Sequence, residues 1–448
     1  MTEPEPLDTL RVAPETVEAH QLARLRAFLP VLQSHHPRYR NVLKAIPISR
    51  IASLGDLDQI PLTTKADIAE DPDSFRLRTG HGSFHQPWDV IFTSGTTATP
   101  TPIHQSAYDF PRILFAQRRM AEIRGVTSSD RIANLFPLAQ LPNGSWLRVN
   151  DHAIAIGAQL VAGLGGAAIG RFSPTRRLPE VVRVVADADP TVLWGVPSYL
   201  RRFLHACLQN ERRLPSVRMV IASGEALGAG VSASILDMLA ELGAPAAVVS
   251  PGFGASELQC SLVPCEPGAG LHNPAPELFL LQVVDDTGAS LPSGETGNLV
   301  LTHLDRTGTV LVRYALGDIV GLTRDRCPSC GRAGERIVEH AGRSDDKVKV
   351  RGQLVDLREV LDLLSRDTDI VEYAAEVKRP DPQSPTNMDT LLIRVALGDE
   401  VDGATAVTRI AVAVAAAVGV RPEVVTEQPD SIYSVDDRMK PTRLRLDG

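Results

Sequence analysis

Little in this 448-residue sequence suits a nucleic-acid partner. Aromatic residues make up only 4% of it, too few to build stacking platforms for single strands. Basic residues are outnumbered as well: 46 Lys and Arg stand against 54 Asp and Glu, a net charge of −8, so no general surplus of positive charge draws a phosphate backbone. Cysteine is scarce. The five present are unevenly placed, four of them between Cys260 and Cys330, which excludes a disulfide framework and points to metal binding in a reducing compartment. Long apolar runs are missing too. The uncharged stretch His152–Gly170 is rich in glycine and ends in an expected strand, short of a membrane-spanning helix. Near the start, Glu3, Glu5, Asp8, Glu15 and Glu18 leave no basic region followed by an apolar one, as a secretory signal would need. These absences lead us to expect a cytoplasmic protein with neither a nucleic-acid nor a membrane partner.

What remains is globular: 43% of residues are hydrophobic and 22% charged, and the length allows about two to four domains. From Trp88 to Gly254, short apolar runs alternate with helical stretches. The expected strands are Asp89–Phe92, Ile132–Phe136, Ala167–Ile169, Thr191–Trp194, Met219–Ala222 and Ala246–Val249, and the helices include Val181–Ala188 and Ser232–Leu242. Alternation of this kind predicts parallel βαβ units. Beyond Leu278, the runs Phe279–Val284, Gly297–Thr302 and Thr309–Tyr314 are separated by turn residues, as in an antiparallel subdomain. After a charged segment at 342–352, Asp369–Val377 and Asp389–Val395 read as strands and Ala404–Val418 as a helix. A domain boundary is expected at Ser344–Asp345. The segment Gly163–Ala168 formally fits G-x-G-x-x-A, but a dinucleotide fingerprint needs a strand before it and a helix after it. Here the preceding segment reads as helical and the following one as strand-like, so it is rejected.

Two local patterns carry chemistry. Thr93 to Thr101, directly after an expected strand, holds six hydroxyl side chains in nine residues, with one glycine and no charge. Such a loop can turn backbone N–H groups and hydroxyls toward one anion. It lacks the Gly-Lys-Ser/Thr ending of a Walker loop. The second pattern, Cys327-Pro-Ser-Cys330-Gly-Arg, is half of a zinc knuckle, because two thiolates across a tight turn can share one tetrahedral ion. Spacing leaves the other half open between Cys260 with Cys265 and Cys265 with His272. Cys207, in a helical stretch, reads as core.

The hydroxyl loop resembles the T-S-G-T-T-G-x-P-T phosphate loop of the adenylate-forming superfamily of acyl-CoA synthetases and adenylation domains. Further motifs follow in that superfamily's order. Ser223-Gly224-Glu225-Ala226 is similar to its G-G/A-E segment, and Phe253-Gly254-Ala255-Ser256-Glu257 to its Y-G-x-S/T-E motif. Arg313-Tyr314-Ala315-Leu316-Gly317-Asp318 is similar to R-Y-R-T-G-D, and Gly342 to Gly352 to its hinge motif. Met439-Lys440-Pro441-Thr442-Arg443 resembles the catalytic-lysine region. The Cys-x-x-C-G-R element, Gly270-Leu271-His272 and Val196-Pro197-Ser198-Tyr199-Leu200 resemble the phenylacetate–CoA ligase-like branch.

The resemblance implies an α/β fold: a large multi-sheet N-terminal domain, 1–344, with a zinc-containing antiparallel subdomain at 255–340, hinged at Asp345 to a small α+β cap, 345–448. It implies that ATP and a carboxylic acid form an acyl-adenylate, which is then passed to the thiol of CoA. A carrier protein or an amine is the alternative acceptor, and a homodimer is compatible with this reading. The nucleotide would meet Thr93, Ser94, Gly95, Thr96, Thr97, Gly224, Glu225, Phe253, Gly254, Ser256, Asp318 and Arg343. Lys440, Glu257 and Thr96 would act on the reacting groups, with Glu257 holding Mg²⁺, an ion that favours one or two carboxylates beside phosphate oxygens. Phe253 replaces the usual Tyr and is either an adenine-stacking ring or a core aromatic. Asp318 can accept both ribose hydroxyls or simply cap a turn. The branch places a cysteine shortly before G-L-H, which selects Cys265, His272, Cys327 and Cys330 for a structural zinc, with Cys260 the alternative fourth ligand. The acid pocket is expected near Phe136, Trp146, Tyr199 and Ala222. With Gln140 and Asn143 nearby, it suits an aromatic or medium-sized acid carrying a polar group. Three departures stand out: Ala98 in place of a loop glycine, Ala315-Leu316 in place of Arg-Thr, and Gln353–Asp356 after the hinge, the last of which bears on CoA as acceptor.

Overall fold

The computed structural model describes residues 11–78, 86–93, 100–138, 144–167, 173–343, 347–378, 389–398, 401–434 and 443–446. The chain forms two compact units: 1–130, 140–160 and 250–343 make up the first, and 131–139, 161–249 and 344–448 the second. Among the described residues no helix is long and apolar enough to cross a membrane.

The first unit opens with the helix Pro14–His35. Proline at its start and Glu15 in its first turn suit a helix N-terminus, where an N–H is not needed and negative charge is favoured. Its buried residues Val17, Gln21, Leu25, Leu29 and Leu32 recur every three or four positions and define one face. From that face Gln21 Nε2 donates to Glu335 Oε1 at 2.7 Å and to the Pro276 carbonyl at 3.2 Å, which ties the helix to a five-stranded antiparallel sheet. The sheet order is Phe279–Val284, Thr296–His303, Tyr314–Thr323, Arg336–Arg343 and Leu271–His272. A hairpin, Pro87–Phe92 with Pro102–Ser106, leads into the helix Phe110–Arg124, which ends at Gly125 with φ +70°, a left-handed cap that glycine adopts without strain.

The second unit contains the parallel strands Arg131–Asn134, Val192–Gly195 and Met219–Ser223, with helices Leu178–Asp187, Pro197–Gln209 and Ala229–Glu241 between and after them. This is the expected βαβ alternation. Its C-terminal part carries a four-stranded sheet in the order Glu423–Thr426, Thr390–Leu397, Ile370–Lys378, Leu444–Leu446. The helices Leu357–Arg366 and Gly403–Val418 start at Asp356 and Asp402, whose carboxylates accept backbone N–H groups, the cap preference of aspartate. Val350, Val360, Leu364, Ile393, Ile410 and Val414 belong to a core built wholly from this segment.

Several expectations need correction. Thr309–Tyr314 is not a strand. Thr309 makes one isolated bridge with Arg76, and a strand begins only at Tyr314. The apolar run is buried, but each N–H finds its own acceptor: Val310 the Phe75 carbonyl at 2.8 Å, Leu311 His303 Nδ1 at 3.0 Å, Val312 the Tyr39 hydroxyl at 2.8 Å and Arg313 Thr302 Oγ1 at 3.0 Å. Burial alone therefore mimicked a ladder. Before Gly163 lies the strand Gln159–Ala162, not a helix. The helix Gly144–Ile156 stops at Gly157, φ +71°, and the short apolar run after it belongs to a new element. The Gly-rich segment still lacks a following helix among the described residues, since Ser173–Arg177 is irregular and the next helix starts at Leu178. The strand expected at Ala246–Val249 runs instead over Val248–Gly254. Of Ala167–Ile169, only Ala167 is among the described residues.

Arg313 anchors the corrected segment. It is 2% exposed and takes φ +47°, which is uncommon for a residue with a side chain. Its guanidinium donates to the carbonyls of Leu57 at 3.1 Å, Ile60 at 2.7 Å and Gly288, and faces Asp58 at 3.2 Å. Replacing it leaves several buried carbonyls unmet, at about 1–3 kcal/mol each. Arg313→Met is expected to lose about 3 kcal/mol or more in urea unfolding; a loss below about 1 kcal/mol would contradict this anchoring role.

Candidate active site

Thr93 is the first residue of the hydroxyl loop and the one site residue of that loop among those described. Its N–H donates to the Thr101 carbonyl at 3.0 Å and its Oγ1 accepts the Thr101 N–H at 3.1 Å, so the loop's two ends are paired at its base. Ser94, Gly95, Thr96 and Thr97 lie outside the described residues, as do Asp345 and Lys440.

Motifs far apart in the chain meet in the first unit. The strand Val248–Gly254 pairs antiparallel with Ser261–Leu262, setting Gly254 opposite Ser261. A Cβ on Gly254 would stand 2.8 Å from Ser261 Oγ, so the glycine lets this crossing close. Glu257, just past the strand, is 7% exposed. The Tyr314 hydroxyl donates to its Oε1 at 3.0 Å. Its backbone carbonyl lies 3.1 Å from His303 Nε2, while His303 Nδ1 accepts the Leu311 N–H at 3.0 Å. Because Nδ1 accepts, the ring proton sits on Nε2 and points at Glu257. Burial, reinforced by Arg306, holds the His303 imidazole well below its ordinary range, so it stays neutral. Burial also raises the Glu257 carboxyl, partly offset by the hydrogen bond from Tyr314.

Asp318 lies in the strand that Tyr314 begins, opposite Arg343 in the ladder. It follows Gly317, φ +83°. His340 Nε2 approaches Asp318 Oδ1 at 3.2 Å, and the His340 ring lies 5.8 Å from the Phe253 ring, tilted by 48°. Phe253 is half-buried rather than sealed in the core, as is Ser256. Phe253, Glu257 and Asp318 are thus joined through His340 and Tyr314. Neither bridging role was read from the sequence. Tyr314 sat inside a motif, but no spacing rule links it to Glu257, and His303 and His340 carry no local signal.

Gly224, φ +89°, and Glu225 lie in the second unit. Glu225 Oε2 accepts the Ser198 hydroxyl at 2.6 Å and the Ser198 N–H at 3.2 Å, a contact the sequence did not signal. Phe136, Tyr199 and Ala222 are buried in the same unit. A Cβ on Gly224 would lie 3.8 Å from the Phe136 ring, and one on Gly165 would collide with the Tyr199 hydroxyl. Trp146, half-buried on the helix Gly144–Ile156, belongs to the first unit.

The ligand atoms of Cys265, His272, Cys327 and Cys330 all lie within 4.8 Å of one another. Cys265 and Cys327 sulfurs are 3.9 Å apart, and Cys330 Sγ is 3.7 Å from His272 Nε2. Burial, with Arg336 and Arg332 nearby, pushes His272 down to about 4, which keeps the imidazole in its neutral, metal-binding form. The four residues make a Cys/His site able to hold a metal ion. Cys260 is not part of it. That thiol is fully buried, and burial pushes it up to about 12, the state of an inert core cysteine.

A model of the AMP-binding enzyme family matches residues 23–304. The chain belongs to this family. Phenylacetate–coenzyme A ligase of Thermus thermophilus is 28% identical over 361 residues, covering 75% of this chain and 73% of the relative. The enzyme of the same description from Escherichia coli is 25% identical, covering 78% and 76%. With the order of motifs, these relatives put the chain in the phenylacetate–CoA ligase-like branch of the adenylate-forming superfamily. In fold, it matches the structure of 2-hydroxyisobutyryl-CoA ligase in the postadenylation state with a TM-score of 0.81 and 22% identity, over 100% of this chain and 94% of that one. The adenylate-forming fold expected from the motifs is the fold observed.

Glu257 supplies a test. Its folded carboxyl is raised above its unfolded value, so above that unfolded value the native state holds more proton than the unfolded one and loses stability as pH rises. Glu257→Gln keeps an acceptor for Tyr314 and removes the ionisation. The variant is expected to gain stability relative to the parent between pH 5 and pH 8 in urea unfolding, with the gap widening upward. A gap independent of pH would contradict the burial of this charge.

Proposed function

We propose that the protein is an AMP-forming acid–thiol ligase acting on an aromatic or small organic acid. The observation that carries this reading is the convergence of Phe253, Glu257 and Asp318, from two motifs, through Tyr314 and His340. In the first step a carboxylate oxygen attacks the α-phosphorus of ATP, forming a mixed anhydride as the bond to pyrophosphate breaks. In the second, the CoA thiol loses its proton and attacks the acyl carbon, and AMP departs. Acyl-adenylate formation needs positioning and charge compensation more than covalent help from the protein.

The residues divide that work. Phe253 offers a face to adenine and Asp318 accepts from the ribose hydroxyls, with Arg343 opposite it in the ladder. The hydroxyl loop, Thr93 to Thr97, would supply N–H and hydroxyl donors to the phosphates, and Thr96 would act on the reacting one. Lys440 brings the cation to the carboxylate and α-phosphate. Glu257 suits Mg²⁺, because a buried carboxyl raised by desolvation is relieved by a dication. Bound there, Mg²⁺ would neutralise phosphate charge. Phe136, Tyr199 and Ala222 would supply apolar surface for the acid. The segment 345–448, with its own core, is read as a cap turning about Asp345 on the domain 1–344.

Zinc is the metal that the Cys/His site fits. Zn–S bonds of about 2.3 Å in a tetrahedron place two sulfurs about 3.8 Å apart, against 3.9 Å between Cys265 and Cys327. With all four positions filled by protein the ion would be structural, clamping Leu271–His272 to the Cys327–Cys330 turn. Cysteines held by zinc rather than paired as disulfides suit the cytoplasm. The departure at Gln353–Asp356 favours a second reading in which a carrier-protein thiol or an amine replaces CoA.

ATP–pyrophosphate exchange across a panel of acids tests the first step. At least one acid should support exchange, and Lys440→Ala should slow it by about 100-fold or more. No exchange with any acid, together with a Lys440→Ala variant that behaves as the parent does, would overturn the reading. CoA consumption against carrier-protein loading decides the acceptor. Metal analysis should find about one zinc per chain, and Cys330→Ser should lose it and lower the Tm. Less than about half an equivalent in the parent rules against zinc.

A further inference from the structure

A second polar cluster lies in the second unit, and of its members only Glu225 has a role assigned above. Its centre is Arg443, which immediately precedes the short strand Leu444–Leu446. The Arg443 carbonyl accepts the Ala375 N–H at 2.8 Å, and Leu444 stands opposite Ala375 in a parallel ladder, so the backbone here is fixed to the strand Ile370–Lys378. The guanidinium is then spent in several directions. Nη1 pairs with Glu372 Oε1 at 2.7 Å and donates to the Tyr373 carbonyl at 2.5 Å. Its carbon lies 4.0 Å over the Tyr373 ring. Nη2 donates to Ser198 Oγ at 2.7 Å, and that hydroxyl donates onward to Glu225 Oε2 at 2.6 Å.

An ion pair between Arg443 and Glu372, with side chains 15% and 2% exposed, needs only one edge of the guanidinium. The other edge goes to a hydroxyl whose proton is committed to Glu225, within the segment Ser223–Ala226. Ser198 therefore accepts from a cation and donates to an anion, an arrangement in which each bond strengthens the next. The planar fork serves Glu372 from Nη1 and Ser198 from Nη2, whereas an ammonium is a compact point charge without that fixed spread. Lys440 is three residues upstream of Arg443 in the chain, so an anchor at Arg443 limits the reach of that lysine to about 11 Å of extended backbone.

We propose that Arg443 is a positioning residue for acyl-adenylate formation, linking the chain just after Lys440 to Glu225 through Ser198. The proposal rests on the ligase reading. Its specific content is that the Arg443–Ser198 link serves the first step and not the second. Arg443→Lys keeps the charge opposite Glu372 but loses the fork, and Ser198→Ala keeps the ion pair but cuts the link. Each should lower the kcat of ATP–pyrophosphate exchange by about tenfold, with the KM for ATP within about threefold of the parent. Thioester formation from supplied acyl-adenylate and CoA should stay within about threefold of the parent. The double variant should be no slower in exchange than the slower single one, and its fall in Tm should be smaller than the two single falls added together.

A merely structural role gives a different pattern, with both half-reactions falling by the same factor. That result, or strictly additive effects in exchange and Tm, overturns the proposal. Failure of the ligase reading looks different again, because then the parent itself shows no exchange with any acid. In that case the positioning role falls with it. A parent that exchanges alongside variants that exchange equally well overturns the positioning role alone.

Discussion

The hydrogen bond from Tyr314 to Glu257 is the contact on which the rest of the first unit's site depends. It joins a residue just past one strand to a residue at the start of another, 57 positions apart. Tyr314 can deliver it only because Arg313 beside it is fixed by backbone carbonyls in a left-handed turn. From that point the strand runs on to Asp318, which meets His340, and His340 lies against Phe253. Glu257 is held from behind as well, by the neutral His303 whose tautomer is set by the Leu311 N–H. A loss at Arg313 would therefore propagate to the carboxylate without touching it directly, the way supporting residues act on a site.

The electrostatics explain why such support is needed. The chain carries a net charge of −8, yet the proposed substrates are polyanions, so attraction must be local. Glu257 and Asp318 are 7% exposed each, and burying a carboxylate is costly unless it is hydrogen-bonded or meets a cation. Tyr314 and His340 meet part of that cost. A bound dication would meet more, which makes binding and site stability one problem. Arg443, Ser198 and Glu225 solve a similar problem in the second unit by arranging opposite charges around one hydroxyl.

Much of this was legible in the sequence, where local rules suffice. Parallel strands such as Val192–Gly195 and Met219–Ser223 were readable because an apolar run followed by a helical period has few alternatives. The helix Gly403–Val418 was readable from its apolar periodicity. Cys327 and Cys330 were legible because the tight turn itself sets their spacing. The choice between Cys260 and His272 was not a matter of spacing, since distance along the chain does not say which way a side chain faces. The structure groups His272, and not Cys260, with Cys265, Cys327 and Cys330. The misreading of Thr309–Tyr314 has a related cause: burial gives an apolar run whether its N–H groups join a ladder or separate acceptors. Tyr314–Glu257 and Arg443–Ser198 are long-range contacts that no local periodicity encodes.

In the proposed first step a carboxylate oxygen of the substrate becomes bonded to the α-phosphorus of ATP. Oxygen-isotope transfer tests this most directly. With a substrate acid labelled by ¹⁸O in its carboxylate, complete turnover should leave one labelled oxygen in the phosphate of AMP, because the attacking oxygen departs with the nucleotide when the acceptor takes the acyl group. AMP free of label, or ADP as the nucleotide product, would contradict acyl-adenylate formation.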